Sequence, residues 1–163
     1  MSKLILIDRD DETQSAIKAL GEALEIEVAE AYSLNNAVRH YATGYAPLIL
    51  IDVSMGTLDV RHLMEEVANQ NRIHSWPAPK FYYLYSDFSI LQRSEAYTYD
   101  HSGTLKKPLD VVELYTLLQQ LGMTKLRRGQ VAHTKDRITK YKNFLSQADA
   151  WMDALKAKLM PGS

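Results

Sequence analysis

The sequence contains no cysteine. That excludes thiolate zinc sites, iron–sulfur clusters, disulfide scaffolds and cysteine nucleophiles, and it fits a reducing compartment. Nothing approaches 18 consecutive apolar residues, so no membrane span is expected. Residues 1–7 are too short a stretch for a signal peptide, and the expected location is the cytoplasm. An excess of one charge sign is also missing: 19 Lys and Arg stand against 20 Asp and Glu, with 46% hydrophobic and 24% charged residues in 163. This is the composition of an ordinary globular chain, long enough for one domain with an appendage. A chain of this size buries roughly 70% of its unfolded surface, so neither disulfides nor a structural metal are needed to hold it together.

The balanced total hides an asymmetry. Residues 1–122 carry 10 Lys and Arg against 17 Asp and Glu, whereas residues 123–163 carry 9 against 3. An acidic body and a basic tail place a boundary near Gly122. Within the body, short apolar runs at 4–7, 26–31, 48–51, 81–85 and 104–106 read as strands, several of them apolar throughout, as suits a parallel sheet covered on both faces. Between them Ala16, Ile17, Leu20, Ala23 and Leu24 share a helical face. So do Leu34, Ala37, Val38 and Tyr41, and then Val60, Leu63, Met64 and Val67. Residues 87–97 form a weaker fourth helix. Leu114, Leu117, Leu118 and Leu121 form the fifth, expected to start at Pro108 and stop at Gly122. Five strand–helix pairs in this length predict a doubly wound α/β fold, a five-stranded parallel sheet in the order 2-1-3-4-5.

In such sheets ligands bind beyond the carboxyl ends of the strands, where the strand order reverses. Asp8 follows the first strand, with Asp10 and Asp11 just beyond. Asp52 follows the third, Ser86 the fourth, and Lys106 and Lys107 the fifth. Carboxylates, a hydroxyl and an ammonium on one rim suit Mg²⁺ and a phosphoryl group, because hard oxygens hold the metal while the ammonium and hydroxyl neutralise phosphoryl oxygens. Asp10 or Asp11 is equally explained as a helix N-cap.

The stretches Lys3-Leu-Ile-Leu-Ile-Asp8-Arg-Asp-Asp, Pro47-Leu-Ile-Leu-Ile-Asp52-Val-Ser-Met, Leu84-Tyr-Ser86 and Leu105-Lys-Lys107-Pro108-Leu-Asp resemble the receiver domain of two-component response regulators, over about residues 1–122. The resemblance implies a flavodoxin-like fold and a phosphoryl acceptor, Asp52, served by a histidine kinase or a phosphotransfer protein. It implies Ser86 as switch hydroxyl, Lys107 as phosphoryl-binding lysine, and a cis peptide before Pro108. Asp8, Asp52 and the backbone carbonyl of Ser54 are the implied metal ligands. Such a domain catalyses at most its own phosphorylation and dephosphorylation.

The chain also departs from that pattern. Arg9 stands at the second metal acid. A guanidinium cannot ligate Mg²⁺, so the expectation is weak or absent metal binding with Arg9 paired to Asp52 in the metal's place. Asp10 substitutes only if the loop shifts. Gly56 replaces a proline and Val60 a glycine, while Asp59 is kept. The aromatic switch position on the last strand is Thr104, and Asp100-His101 precede that strand in place of Gly-Ala. A second function follows from these departures: a degenerate receiver serving as a phosphorylation-independent interaction module. A third comes from Asp8-Arg9-Asp10, which also resembles the Asp-x-Asp opening of haloacid-dehalogenase-type phosphohydrolases with Asp8 as nucleophile, although Glu12 and a missing late acidic pair depart from that family. The histidines at 40, 62, 74, 101 and 133 show no ligand spacing and read as surface residues. Phe81, Tyr82, Tyr83 and Tyr85 read as strand packing at a sheet edge.

The tail divides into a basic linker, 123–133, and an amphipathic helix, 134–160. Ile138, Tyr141, Leu145, Ala148, Met152, Leu155 and Leu159 recur at steps of three and four, the seam of a coiled coil, with Phe144 and Trp151 beside it. Such a stripe packs either on a partner helix or back on the body, and self-association as a homodimer is the expectation over folding back. No second helix of a helix-turn-helix accompanies it, so a nucleic-acid output is not supported.

Overall fold

In a computed structural model, the described residues are 1–55 and 59–124. The linker beyond Thr124, the helix expected at 134–160 and its residues Ile138 through Leu159 lie outside them, as do Gly56 and His133. The body builds five strands and five helices in alternation: β1 (Lys3–Ile7), α1 (Asp11–Leu24), β2 (Glu27–Ala31), α2 (Leu34–Ala42), β3 (Leu48–Asp52), α3 (Val60–His74), β4 (Lys80–Tyr85), α4 (Phe88–Arg93), β5 (Gly103–Lys106) and α5 (Val111–Gln120). The strands are all parallel, in the order β2-β1-β3-β4-β5, the flavodoxin-like arrangement expected from the sequence.

The apolar runs occupy the middle of the sheet for a physical reason. Every residue of β1 and β3 is buried, so only strands apolar on both faces can sit there. Ile5, Ile7, Ile49, Ile51 and Tyr83 join Ala37 and Tyr41 of α2 and Leu63 and Val67 of α3 in one core. Leu4, Leu6, Leu48 and Leu50 alternate with them and face the opposite side, where α1 and α5 meet. Strand β2 lies at an edge and mixes buried alanines with Glu27 and Glu30, Glu30 being paired to Lys18 at 3.2 Å.

Each helix is opened by a capping side chain: Asp10, Ser33, Asp59, Asp87 and Asp110 accept from backbone N–H groups of the first turn. Each such cap is worth about 1 kcal/mol. They also correct two expectations. The fifth helix begins after Asp110, whose carboxylate takes the Val112 N–H at 2.9 Å, and not at Pro108. The fourth helix ends at Arg93; Ser94 is extended and its hydroxyl takes the Ala96 N–H, starting a separate 3₁₀ turn at Glu95–Thr98. At Gly122 (φ 68°) α5 stops as expected, with Gly122 N–H on the Gln119 carbonyl and Met123 N–H on that of Leu118.

Strand β4 is interior to the sheet, with β5 beyond it, so its tyrosines do not form an edge. Tyr83 is fully buried, and its hydroxyl has no hydrogen-bond partner among the described residues. Burial pushes that phenol up to about 12. A buried unpaired hydroxyl costs free energy that a phenyl ring does not. Tyr83→Phe is therefore expected to stabilise the fold by about 1 kcal/mol, seen as a higher urea midpoint at unchanged slope.

Candidate functional site

Parallel register decides which side chains meet. Ile7 pairs with Ile51 and Asp52 with Leu84, so the ends of β1, β3 and β4 lie side by side and deliver Asp8, Asp52 and Ser86 to one rim. Lys107 follows β5, its N–H bonded to the Tyr85 carbonyl at 2.7 Å, and its peptide to Pro108 is cis. All four residues line a cleft of about 510 Å³, together with Arg9, Asp10 and Ser54. A larger groove of about 870 Å³ lies between the start of α3 and the end of α4 with the turn that follows it. Its charged groups are already engaged: Arg61 with Glu65, Arg93 with Ser89, Glu95 with Tyr99, and Asp59 as the cap of α3. The smaller cleft is the one that gathers convergent carboxylates and a half-buried cation.

Asp8 and Asp52 are both buried. Asp52 Oδ1 accepts the Ser54 N–H at 2.7 Å and the Ser54 hydroxyl at 2.6 Å, and Asp52 Oδ2 accepts from the Lys107 ammonium. Lys107 Nζ also lies 2.6 Å from Asp8 Oδ2, an ion-pair contact outside hydrogen-bond geometry. Asp8 Oδ1 takes the Asp10 N–H at 2.9 Å. Burial raises the Asp8 carboxyl above its ordinary value, opposed in part by Lys107, with the neighbouring Asp52 charge adding to the rise. Burial pulls the Lys107 ammonium down, but its contacts with Asp52 and Asp8 outweigh that and leave it raised.

The structure corrects the expectation for Arg9. Its side chain does not pair with Asp52. It is exposed and donates from Nε and Nη2 to the Tyr32 carbonyl at 3.4 and 3.3 Å. The contacts of Asp52 are instead with Ser54 and Lys107. Asp10 is the N-cap of α1, taking the Glu12 N–H at 3.2 Å and the Thr13 hydroxyl at 2.7 Å, and it sits 3.6 Å from Lys107. The Thr13 bond leads in holding its carboxyl below the ordinary value.

Sequence reasoning missed Gln14. Its buried amide donates to the Asp8 carbonyl at 2.8 Å and ties α1 to the strand end that carries Asp8. The only signal was a polar residue on an inward helix face, which periodicity does not read. The histidines are also not uniformly superficial: His62 and His74 are exposed, whereas His101 is half-buried, bonded to the Tyr99 carbonyl at 2.8 Å and packed against Tyr83. Among the described residues no three His, Cys, Asp or Glu side chains are arranged to hold a metal ion, and no helix is long and apolar enough to cross a membrane.

No family model matches the chain, and no curated protein matches it by sequence. Solved structures do match it by fold. A response regulator receiver domain from Clostridium thermocellum is 20% identical, with a TM-score of 0.57, covering 74% of this chain and 94% of that one. The receiver domain of a sensor histidine kinase from Pseudomonas aeruginosa, described with a magnesium ion coordinated in its active-site cleft, is 22% identical, with a TM-score of 0.60 over 74% of this chain and 98% of that one. The receiver domain of a Saccharomyces cerevisiae response regulator, solved with a histidine phosphotransfer protein, is 16% identical, with a TM-score of 0.60 over 75% of this chain and 89% of that one. The body of this chain has the receiver-domain fold.

Proposed function

We propose that this chain, built on the receiver fold, works as a two-component receiver in which Asp52 accepts a phosphoryl group from a phosphohistidine on a kinase or phosphotransfer protein. One observation carries the reading. A buried carboxylate at the end of the central strand is bonded to a half-buried lysine whose side chain is 8% exposed, in a cleft that also presents the Ser86 hydroxyl. Asp52 attacks phosphorus in line with the departing nitrogen, Lys107 turns from the carboxylates to the developing phosphoryl charge, and Ser86 offers its hydroxyl to a phosphoryl oxygen. The domain turns over no external substrate and passes a signal. A cytoplasmic setting is part of this proposal, and a sequence without cysteine fits a reducing compartment. Acid-quenched intact mass after incubation with acetyl phosphate is expected to show a single phosphoryl adduct mapping to Asp52. No adduct under any condition would overturn the reading in favour of the phosphorylation-independent module, the alternative suggested by Arg9 at the acid's position. The phosphohydrolase alternative is not carried forward: the Asp10 carboxylate is engaged as the cap of α1, by the Glu12 N–H and the Thr13 hydroxyl.

We further propose that the signal leaves through self-association of the segment 134–160. The described core closes without it, so a chain ending at Thr124 is expected to stay folded and sediment as a monomer. The full chain is expected to sediment as a dimer at tens of micromolar. A monomeric full chain at that concentration would assign the segment to another partner.

A further inference from the structure

We propose that Arg9 provides the positive charge that a divalent metal would otherwise bring to this cleft, so that Asp52 takes up its phosphoryl group without a metal. The inference rests on the receiver reading above and concerns how the same site is charged. The residues present do not fit a metal. Lys107 is ion-paired with both buried carboxylates, Asp10 is committed to capping α1, and the remaining position next to Asp8 carries a guanidinium, which has no lone pair to give. Exchanging a carboxylate for a guanidinium changes the local charge from −1 to +1. That change of two units equals the charge of one divalent cation.

Arg9 is placed and free to act in this way. It lines the cleft with Asp52, Ser86 and Lys107, it is exposed, and its two hydrogen bonds to the Tyr32 carbonyl are long, at 3.3 and 3.4 Å. Its remaining N–H groups have no acceptor recorded among the described residues, and the fork of a guanidinium matches two oxygens of one phosphoryl group. Lys107 alone is a single cation shared by two carboxylates, and an incoming phosphoryl dianion needs more. With phosphoramidate as donor, an Asp52 oxygen forms the new P–O bond and the P–N bond breaks. The nitrogen, already protonated to –NH₃⁺ in the zwitterionic form of the donor, leaves as ammonia with the electron pair of that bond, and the negative equatorial oxygens face Lys107 and Arg9 throughout.

The test uses the full chain with phosphoramidate, in EDTA and in Mg²⁺, read by acid-quenched intact mass and accompanied by a calorimetric Mg²⁺ titration. Labelling is expected at equal rates in both buffers, with no Mg²⁺ heat at millimolar metal, and Asp52→Asn is expected to stay unlabelled. Arg9→Ala is expected to slow labelling about 10²-fold. Arg9→Asp is expected to label only with Mg²⁺ and to gain a binding heat. Wild-type labelling that requires Mg²⁺, or labelling in EDTA that Arg9→Ala leaves unchanged, would overturn the inference and leave Asp52 as acceptor. Absence of labelling in both buffers would overturn the receiver reading with it. Because Arg9 is exposed and, among the described residues, bonded only to the Tyr32 carbonyl, its variants are expected to fold, and circular dichroism checks this.

Discussion

Lys107→Ala is expected to lower stability by about 3 kcal/mol at neutral pH and to slow phosphoryl uptake about 10²- to 10³-fold. The first effect follows from what the lysine leaves behind. Two buried carboxylates, Asp8 and Asp52, would face each other across the strand ends without a cation between them. Removing one partner of a buried ionic set costs more than the set itself contributes, because the remaining charges lose their compensation. The cleft is open to water, which sets the figure at the low end of that range.

Two pH dependences separate this from an ordinary cavity. In the wild type the folded-state pKa of Lys107 lies above its ordinary 10.5, so its contribution is complete below that value and is lost as the pH rises through the folded value. Wild-type stability should fall in that alkaline range, and the variant should lack this fall. Asp8 is raised from 3.8, so folded protein holds its proton more tightly than unfolded chain does. Its ionisation therefore costs stability as the pH rises through the folded value, and without Lys107 that cost grows. The variant should recover part of its deficit on acidification, in urea titrations run across both ranges. A deficit independent of pH would contradict the ion-pair account.

Tyr41→Ala is expected to cost about 3–5 kcal/mol and to leave the labelling rate of the remaining folded protein unchanged. Tyr41 is fully buried on α2, packs edge-on against Trp76 at 5.6 Å and Tyr45 at 6.3 Å, and donates its hydroxyl to Asn71 of α3. Truncation removes a large aromatic side chain from a close-packed core and leaves the Asn71 oxygen without that donor. None of these groups lines the cleft that holds Asp52. A changed labelling rate at matched folded fraction would mean that the α2–α3 contact is coupled to the acceptor site.

Much of this architecture is legible in the sequence, and the parts that are not share a cause. β1 and β3 announce themselves because only a sheet covered on both faces accommodates Leu-Ile-Leu-Ile, and the carboxylates that follow those runs identify the rim. The convergence of Asp8, Asp52, Ser86 and Lys107 follows from topology alone. The break at Ser94 was not legible, since a serine inside an apolar helical pattern reads as a tolerated surface residue until its hydroxyl takes a backbone donor. The direction of Arg9 was not legible either. It is fixed by the Tyr32 carbonyl that Arg9 meets across the strand ends, and no periodicity encodes that contact. Gln14 belongs to the same class: its role is fixed by the carbonyl it meets, not by its place on a helical wheel.

The all-parallel order of the sheet has a consequence for how the chain reaches its fold. No two adjacent strands are joined by a hairpin, and the strand partners nearest in sequence, Tyr82 with Gly103 and its neighbours in register, are 21 residues apart. Each pairing must meet the entropy of closing a long loop before it gains anything, so the sheet cannot zip from a local seed. The capped helices give the early chain local order, but β1, the earliest made of these five strands, must wait for β3 to cover its inner edge. Through that interval Leu4, Ile5, Leu6 and Ile7 have β2 at most on one edge and an uncovered apolar edge on the other, which exposes the nascent chain to misassembly before residue 48 has emerged.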